Sequence, residues 1–295
     1  MTDSRPVSLQ QMKQRLARFR SLRSLAAALS FRPDPTDIFI SPYPKCGTTW
    51  VQQIAHGLRS RGSMAFEEIT EVVPWIEMAL DMGVDLDAPQ VAFPRLYKSH
   101  LPWNHIPKGA RYICVIRNPG DALVSQYRFF EGWLFEPGTV TLEEFAVGEF
   151  IPRSDTHTYW SHLAGWWSQR NRDDVLLLCY EDMKVKLEIA VRRIARFMKI
   201  DYDPELEQMV LEHSSFKFMR SHQRQFDDHL VRAARDGACG IQPGGSSTKI
   251  RTGRVGDHTY ELSEELKARM DQVWQTEITT RFDLASYEAL RLAMC

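Results

Sequence analysis

An α/β architecture, a doubly wound parallel sheet flanked by helices, is the fold class this sequence predicts. Three observations predict it. Short strand-like runs recur at 37–40, 95–98, 112–116 and 175–180, and three are near-continuously apolar, as parallel strands covered on both faces should be. Segments of helical periodicity alternate with them, roughly 49–60, 120–130, 156–169 and 185–198, the βαβ signature. The polar motifs lie just past the strands, where open α/β sheets bind ligands.

Before the first strand runs a basic stretch. Between Arg5 and Arg32 it carries seven Lys/Arg residues and no Asp or Glu. Leu9, Met12, Leu16, Phe19, Leu22 and Leu25 alternate by threes and fours, the stripe of an amphipathic helix. A transit peptide, a membrane-surface helix and a partner-binding arm share that pattern. We read it as a helix packed on its own domain with its arginines solvated. The expected organisation is therefore a basic amphipathic segment over 1–35 and a single domain over 36–295.

The first strand feeds Pro42-Tyr43-Pro44-Lys45-Cys46-Gly47-Thr48-Thr49-Trp50. Gly47 permits close backbone approach, and the first amides of a following helix lack intrahelical partners, so they point at an anion. Lys45 adds a cation, and Thr48 and Thr49 add hydroxyl donors. Val51, Ile54, Ala55 and Leu58 recur at helical spacing behind them. This is a P-loop-like arrangement, but not the nucleotide-triphosphatase loop, whose lysine follows the glycine. Trp50 stands where an adenine could stack. A mere cap on a surface helix is the bland alternative.

The second strand ends in Leu96-Tyr97-Lys98-Ser99-His100-Leu101-Pro102. His100 emerges where a catalytic residue belongs in this architecture, although a lone histidine is more often structural, and His105, His157, His162 and His213 carry no comparable context. The third strand ends at Arg117, followed by Asn118-Pro119-Gly120 and a helix bearing Ser125. Arg117 is placed for bidentate phosphate recognition, with Ser125 as a second donor; a strand-end salt bridge to Asp121 is the alternative. Residues 221–258, with Gly237, Gly240, Pro243-Gly244-Gly245 and Ser246-Ser247, read as a polar loop long enough to be a lid or binding segment.

The turn through Trp50 resembles the 5′-phosphosulfate loop of cytosolic-type sulfotransferases, Tyr-Pro-Lys-Ser-Gly-Thr-Thr-Trp, with Cys46 in place of serine. The resemblance extends, colinearly, from about residue 37 to 290. Ser99-His100-Leu101-Pro102 is similar to the family segment whose histidine is the general base. Arg117 and Ser125, eight apart, match its 3′-phosphate site. Tyr180-Glu181-Asp182-Met183 and Ser214-Ser215-Phe216-Lys217 resemble its adenine-side segments, so Trp50, Tyr180 and Phe216 are expected to offer flat faces to the purine, with Ser214 beside it. Arg251-Thr252-Gly253-Arg254 resembles the C-terminal segment that closes on the 3′-phosphate; Thr252 replaces a lysine, which Arg254 partly offsets, and His258 replaces a tryptophan. No dimerisation motif is carried over.

That resemblance implies sulfuryl transfer from 3′-phosphoadenosine 5′-phosphosulfate (PAPS) to a hydroxyl or amine, by in-line displacement. It implies His100 as base, Lys45 on the leaving bridging oxygen and Lys98 on the sulfuryl group, with Lys45, Cys46, Gly47, Thr48, Thr49, Arg117, Ser125, Arg251, Thr252 and Gly253 around the phosphates. No metal is expected, since no carboxylate follows the loop helix in metal-binding position. The acceptor is expected to be small and hydrophobic, a phenol, sterol or lipid, on account of Trp75, Phe93, Trp103, Phe129 and Phe130 near the motifs. Phe129, one helical turn beyond Ser125, is the foremost of these. A P-loop-type small-molecule kinase and a catalytically degenerate nucleotide-binding scaffold are the alternatives.

Composition adds bounds. The chain has 295 residues, 43% hydrophobic and 25% charged, with a formal net charge of -1, so bulk electrostatics points to no nucleic-acid partner. The five cysteines (46, 114, 179, 239 and 295) lack metal-ligand spacing. Reduced thiols and a cytoplasmic location are expected. No secretory signal or transmembrane segment is expected.

Overall fold

The computed structural model describes residues 4–151, 158–242, 247 and 249–294. Four strands, β1 (Ile38–Ile40), β2 (Leu96–Lys98), β3 (Arg111–Ile116) and β4 (Val175–Cys179), form one parallel sheet in the order β2-β1-β3-β4. Ile40 pairs with Lys98 on one side and Ile113 on the other, and Ile116 with Cys179. The chain steps from β1 outward to β2, then returns to place β3 on the opposite flank. That reversal puts the topological switch point, and hence a ligand crevice, between β1 and β3.

Side chains alternate across the sheet into two cores. Phe39, Tyr97, Tyr112 and Cys114 enter one; Ile38, Ile40, Leu96, Ile113, Val115 and Leu178 enter the other. Both faces are covered, which is why these strands read as unbroken apolar runs. The expected helices form as Thr48–Ser60, Pro119–Trp133, Tyr159–Trp167 and Leu187–Met198. The third starts where the Thr158 side chain accepts from the Ser161 amide; positions 156 and 157, and so His157, lie outside the described residues. Tyr180 opens the Tyr180–Val185 helix rather than ending β4.

Two segments differ from expectation. The N-terminal stripe is carried by two helices, Leu9–Leu16 and Leu22–Ser30, because the Ser21 side chain accepts from the Ser24 amide and starts a second helix. Met12 is buried, and Leu9, Leu16, Phe19 and Leu25 pack on the core, but Leu22 is 86% exposed. Its cations are not all solvated either: Lys13 donates to the Gly148 carbonyl at 3.0 Å, and Arg15 to that of Cys239 at 3.1 Å. The stretch read as a polar loop over 221–258 contains helical turns at Gln223–Phe226 and His229–Arg235 and runs into another at His258–Glu261. Phe226 and Val231 anchor it in the interior, packing that a polar-looking stretch conceals. Pro243, Gly244, Gly245 and Ser246 lie outside the described residues.

Candidate functional site

The turn after β1 is built around two left-handed residues, Lys45 (φ 67°) and Gly47 (φ 102°). Glycine takes such a φ freely; a lysine there costs about 1–2 kcal/mol, which the surroundings must offset. Arg117 does so in part: its Nη1 donates to the Lys45 carbonyl at 2.9 Å and its Nη2 to the Arg254 carbonyl at 3.2 Å. Gly47 is the N-cap of the Thr48–Ser60 helix and supplies no side-chain cap, so the leading amides keep their capacity for an anion. A Cβ on Gly47 would stand 3.0 Å from the Tyr180 ring.

Cys46 points the other way. Its side chain is fully buried in the core, and burial pushes the thiol up to about 12. The expectation that Cys46 serves the phosphate therefore narrows to its backbone. The alternative salt bridge between Arg117 and Asp121 does not form. Asp121 instead receives the Gly256 amide at 2.8 Å and pairs with His258 Nδ1 at 2.7 Å, giving the residue that replaces tryptophan a structural task.

One cavity of about 880 Å³ gathers the rest of the expected residues. Lys45, Gly47, Thr48, Thr49, Trp50, Lys98, His100, Arg117, Ser125, Phe129, Tyr180, Ser214, Phe216, Arg251, Thr252 and Gly253 all line it. On one side, Trp50 meets Tyr180 edge-on with centroids 5.6 Å apart, its Nε1 donating to the Ser214 carbonyl at 2.8 Å. Arg117 lies 4.4 Å over the Tyr180 ring. Gly253 (φ 60°) passes so close to Phe216 that a Cβ would come within 2.8 Å of the ring. Arg251 is held by Asp257 at 2.8 Å. The buried Thr48 Oγ1, Arg117 Nε and Ser214 Oγ have no partner, and orphans of this kind ask for an explanation.

The middle of the cavity is a chamber of titratable groups. His100 Nδ1 donates to the Pro42 carbonyl at 2.8 Å, since a carbonyl can only accept, and the neutral ring therefore carries its lone pair on Nε2. Its backbone amide donates to Glu77 Oε1 at 2.8 Å. Burial and the Lys98 charge hold the imidazole well below its ordinary value. Lys98, 3% exposed, lies 3.8 Å over the Trp75 ring and 3.6 Å from Asp228 Oδ1. Lys45 Nζ stands 4.0 Å over the Phe129 ring. Burial, then the Lys249 charge, brings its ammonium down to about 7, with Asp228 pulling the other way.

Asp228 and Lys249, which pair at 2.5 Å, belong to this chamber and were missed by sequence reasoning. They sit in the polar stretch after residue 221, where no spacing marks them. Leu16, Phe19 and Leu25 were missed as well: the N-terminal helices supply a wall of the cavity, with Phe19 against Trp75 (5.9 Å) and Trp133 (5.0 Å). Of the five aromatics singled out, Trp75, Phe129 and Phe130 line the cavity. Trp103 instead packs on Tyr112 and Trp166, and Phe93 is 68% exposed.

A switch-point crevice with an anion-cradling turn, an ordered histidine and clustered lysines is the form of a group-transfer enzyme acting on a nucleotide donor. A family model described as the sulfotransferase domain matches residues 35–283, and the chain belongs to the sulfotransferase family. Sulfotransferase 1B1 of Canis lupus familiaris is 29% identical over 262 residues, 84% of this chain and 86% of the relative. Sulfotransferase 1 family member D1 of Mus musculus is 32% identical over 204 residues, 65% and 69% of the two chains. Among solved structures, retinol dehydratase in complex with androsterone and inactive cofactor PAP superposes with a TM-score of 0.70 at 19% identity, covering 90% of this chain and 87% of that one. Mouse sulfotransferase SULT7A1 complexed with PAP gives 0.67 at 19%, covering 93% and 94%. These two likenesses establish the fold.

Proposed function

We propose that the protein transfers the sulfuryl group of PAPS to a hydroxyl or amine of a small hydrophobic acceptor, with His100 as general base. The observation that carries this reading is the convergence of the Lys45–Trp50 turn, Arg117, Arg251 and His100 on one cavity. The orphaned Thr48, Arg117 and Ser214 atoms and the two close-packed glycines suit a phosphorylated adenosine. When bound, PAPS supplies a sulfur whose bond to the 5′-phosphate oxygen breaks as its bond to the acceptor forms.

The residues then divide the work. Thr48, Thr49 and the amides after Gly47 hold the 5′-phosphate, and Lys45 neutralises the oxygen that leaves. Arg117, Ser125 and Arg251 hold the 3′-phosphate, while Trp50, Tyr180 and Phe216 enclose the base, a common use of aromatic faces. His100 Nε2 takes the acceptor proton, and Lys98 stabilises charge on the sulfuryl oxygens. Phe19, Trp75, Phe129 and Trp133 give the acceptor an apolar wall. Among the described residues no helix is long and apolar enough to cross a membrane. A cytoplasmic setting fits the four buried free thiols there.

Calorimetric titration with adenosine 3′,5′-bisphosphate, beside ATP with Mg²⁺, tests the donor. Tight binding of the bisphosphate and weak binding of ATP is the expected result. The reverse would restore the kinase alternative, and silence from both would leave a degenerate scaffold. Labelled PAPS with phenols, sterols and aliphatic alcohols then tests the acceptor.

A further inference from the structure

Three lysines, not two, converge on the chamber beside His100. Asp228 Oδ1 accepts from Lys249 Nζ at 2.5 Å and faces Lys98 Nζ at 3.6 Å. All three residues line the cavity, as does Lys45. Among the charges acting on Lys45, that of Lys249 is the largest. We propose that Lys249 is a further catalytic cation, acting directly on the transferring sulfuryl group, and that Asp228 is the positioning residue that holds it there. The inference rests on the donor reading above.

Packing favours this assignment over a chance surface pair. The Asp228 and Lys249 side chains are each only 11% exposed. Asp228 adopts a left-handed φ of 59°, which aspartate tolerates better than most residues, and it lies between the buried Phe226 and Val231. Ser247 Oγ donates to the Asp227 carbonyl at 2.6 Å, so the segment leading to Lys249 is tied to the same turn twice. Buried ammonium groups repel one another, and one carboxylate shared by two of them makes their proximity affordable. The groups facing this cluster are Lys45, Arg117, Glu68, Glu77 and His100. Among the described residues Asp228 is the carboxylate in contact with Lys98 and Lys249. Burial shifts Glu68 and Glu77 toward the neutral acid, which leaves positive charge that an arriving sulfonate would satisfy. Thr252 lacks the lysine the family carries there; Lys249 returns a cation to the site, joined to Lys98 through Asp228.

The step it serves is unchanged in balance: the acceptor oxygen or nitrogen gains the sulfuryl group, its proton goes to His100, and the bond to the 5′-phosphate oxygen breaks. Lys249→Met and Lys249→Arg should be compared with the wild type for binding of PAPS, binding of adenosine 3′,5′-bisphosphate, and turnover. The expected result is that Lys249→Met loses about tenfold or more in kcat, the size of one charge-assisted contact, and weakens PAPS more than the bisphosphate, while Lys249→Arg keeps most of both. Equal weakening of the two nucleotides, or unchanged kcat, would overturn the proposal and leave Lys249 a structural partner of Asp228. Asp228→Asn should move the alkaline limb of the kcat profile to lower pH, because it removes the charge that supports Lys98 and Lys45; an unmoved limb contradicts the positioning role. Should Asp228→Asn fail to fold, the Lys249 pair still decides. If the wild type binds no bisphosphate, it is the donor reading that falls, and Lys249 with it.

Discussion

Arg117 Nη1 donates to the carbonyl of Lys45 across 2.9 Å, tying the end of β3 to the turn that follows β1. The same guanidinium reaches the Arg254 carbonyl, so one side chain spans the switch point and the closing segment. Arg117→Ala should therefore weaken adenosine 3′,5′-bisphosphate by about 2–3 kcal/mol, and AMP by less, the AMP loss reporting the hold of Arg117 on the Lys45 turn. Arg117→Lys should recover little, since a single ammonium cannot form the fork. Competition binding with both nucleotides checks this; an equal loss for each would remove Arg117 from the 3′-phosphate site.

His100→Ala should lower kcat by about 10²–10⁴, the usual worth of a positioned base, while leaving bisphosphate affinity close to wild type. Burial and Lys98 hold this imidazole below its ordinary value, so it remains a neutral base throughout the neutral range. His100 should set the acid limb alone, with activity falling as the pH drops through that depressed value, while the alkaline limb belongs to the lysines. A kcat profile that loses activity near the ordinary imidazole value, or a variant that no longer binds nucleotide, would make His100 structural.

Lys45 should take up a proton when nucleotide binds. In the free protein burial and Lys249 hold it at about 7, so above that pH most molecules carry a neutral amine. An anionic ligand favours the charged form and raises the value. Affinity should accordingly weaken as pH rises above about 7, until the bound-state value is passed. Titration at pH 8 in buffers of different ionisation enthalpy reads the proton uptake, and Lys45→Met should abolish it.

Cys46→Ser would restore the residue the family commonly has, and from the sequence alone it should tighten the cofactor. The side chain faces the core instead, where a hydroxyl without a partner costs about 1–3 kcal/mol. Thermal denaturation should show a lower Tm with bisphosphate affinity unchanged. In the folded protein the thiol, pushed up to about 12, should resist thiol reagents. Rapid modification of Cys46, or a gain in affinity on substitution, would contradict its inward orientation.

Much of the site was legible because its pieces are local. A strand, a glycine turn and an apolar-periodic helix announce the cradle between Ile38 and Leu58; Arg117 and Ser125 share one strand–turn–helix unit, and His100 follows β2 closely. Aromatic identity was a poorer guide. Trp103 and Phe93 look no different in sequence from Trp75 and Phe129, yet only the latter two line the cavity, since burial depends on which neighbours arrive.

By itself, the sequence determined the alternation of strands and helices, the anion-cradling turn and membership in a sulfotransferase-like class, because periodicity, glycine placement and short motifs act over a few bonded residues. Only the tertiary structure decided that Cys46 turns inward, that the N-terminal helices wall the cavity, and that Asp228 carries Lys249 to Lys98. The last two of those outcomes join segments more than 100 residues apart along the chain, as with Phe19 against Trp133 and Lys98 against Asp228. Packing and charge pairing between such segments leave no periodic trace in either one.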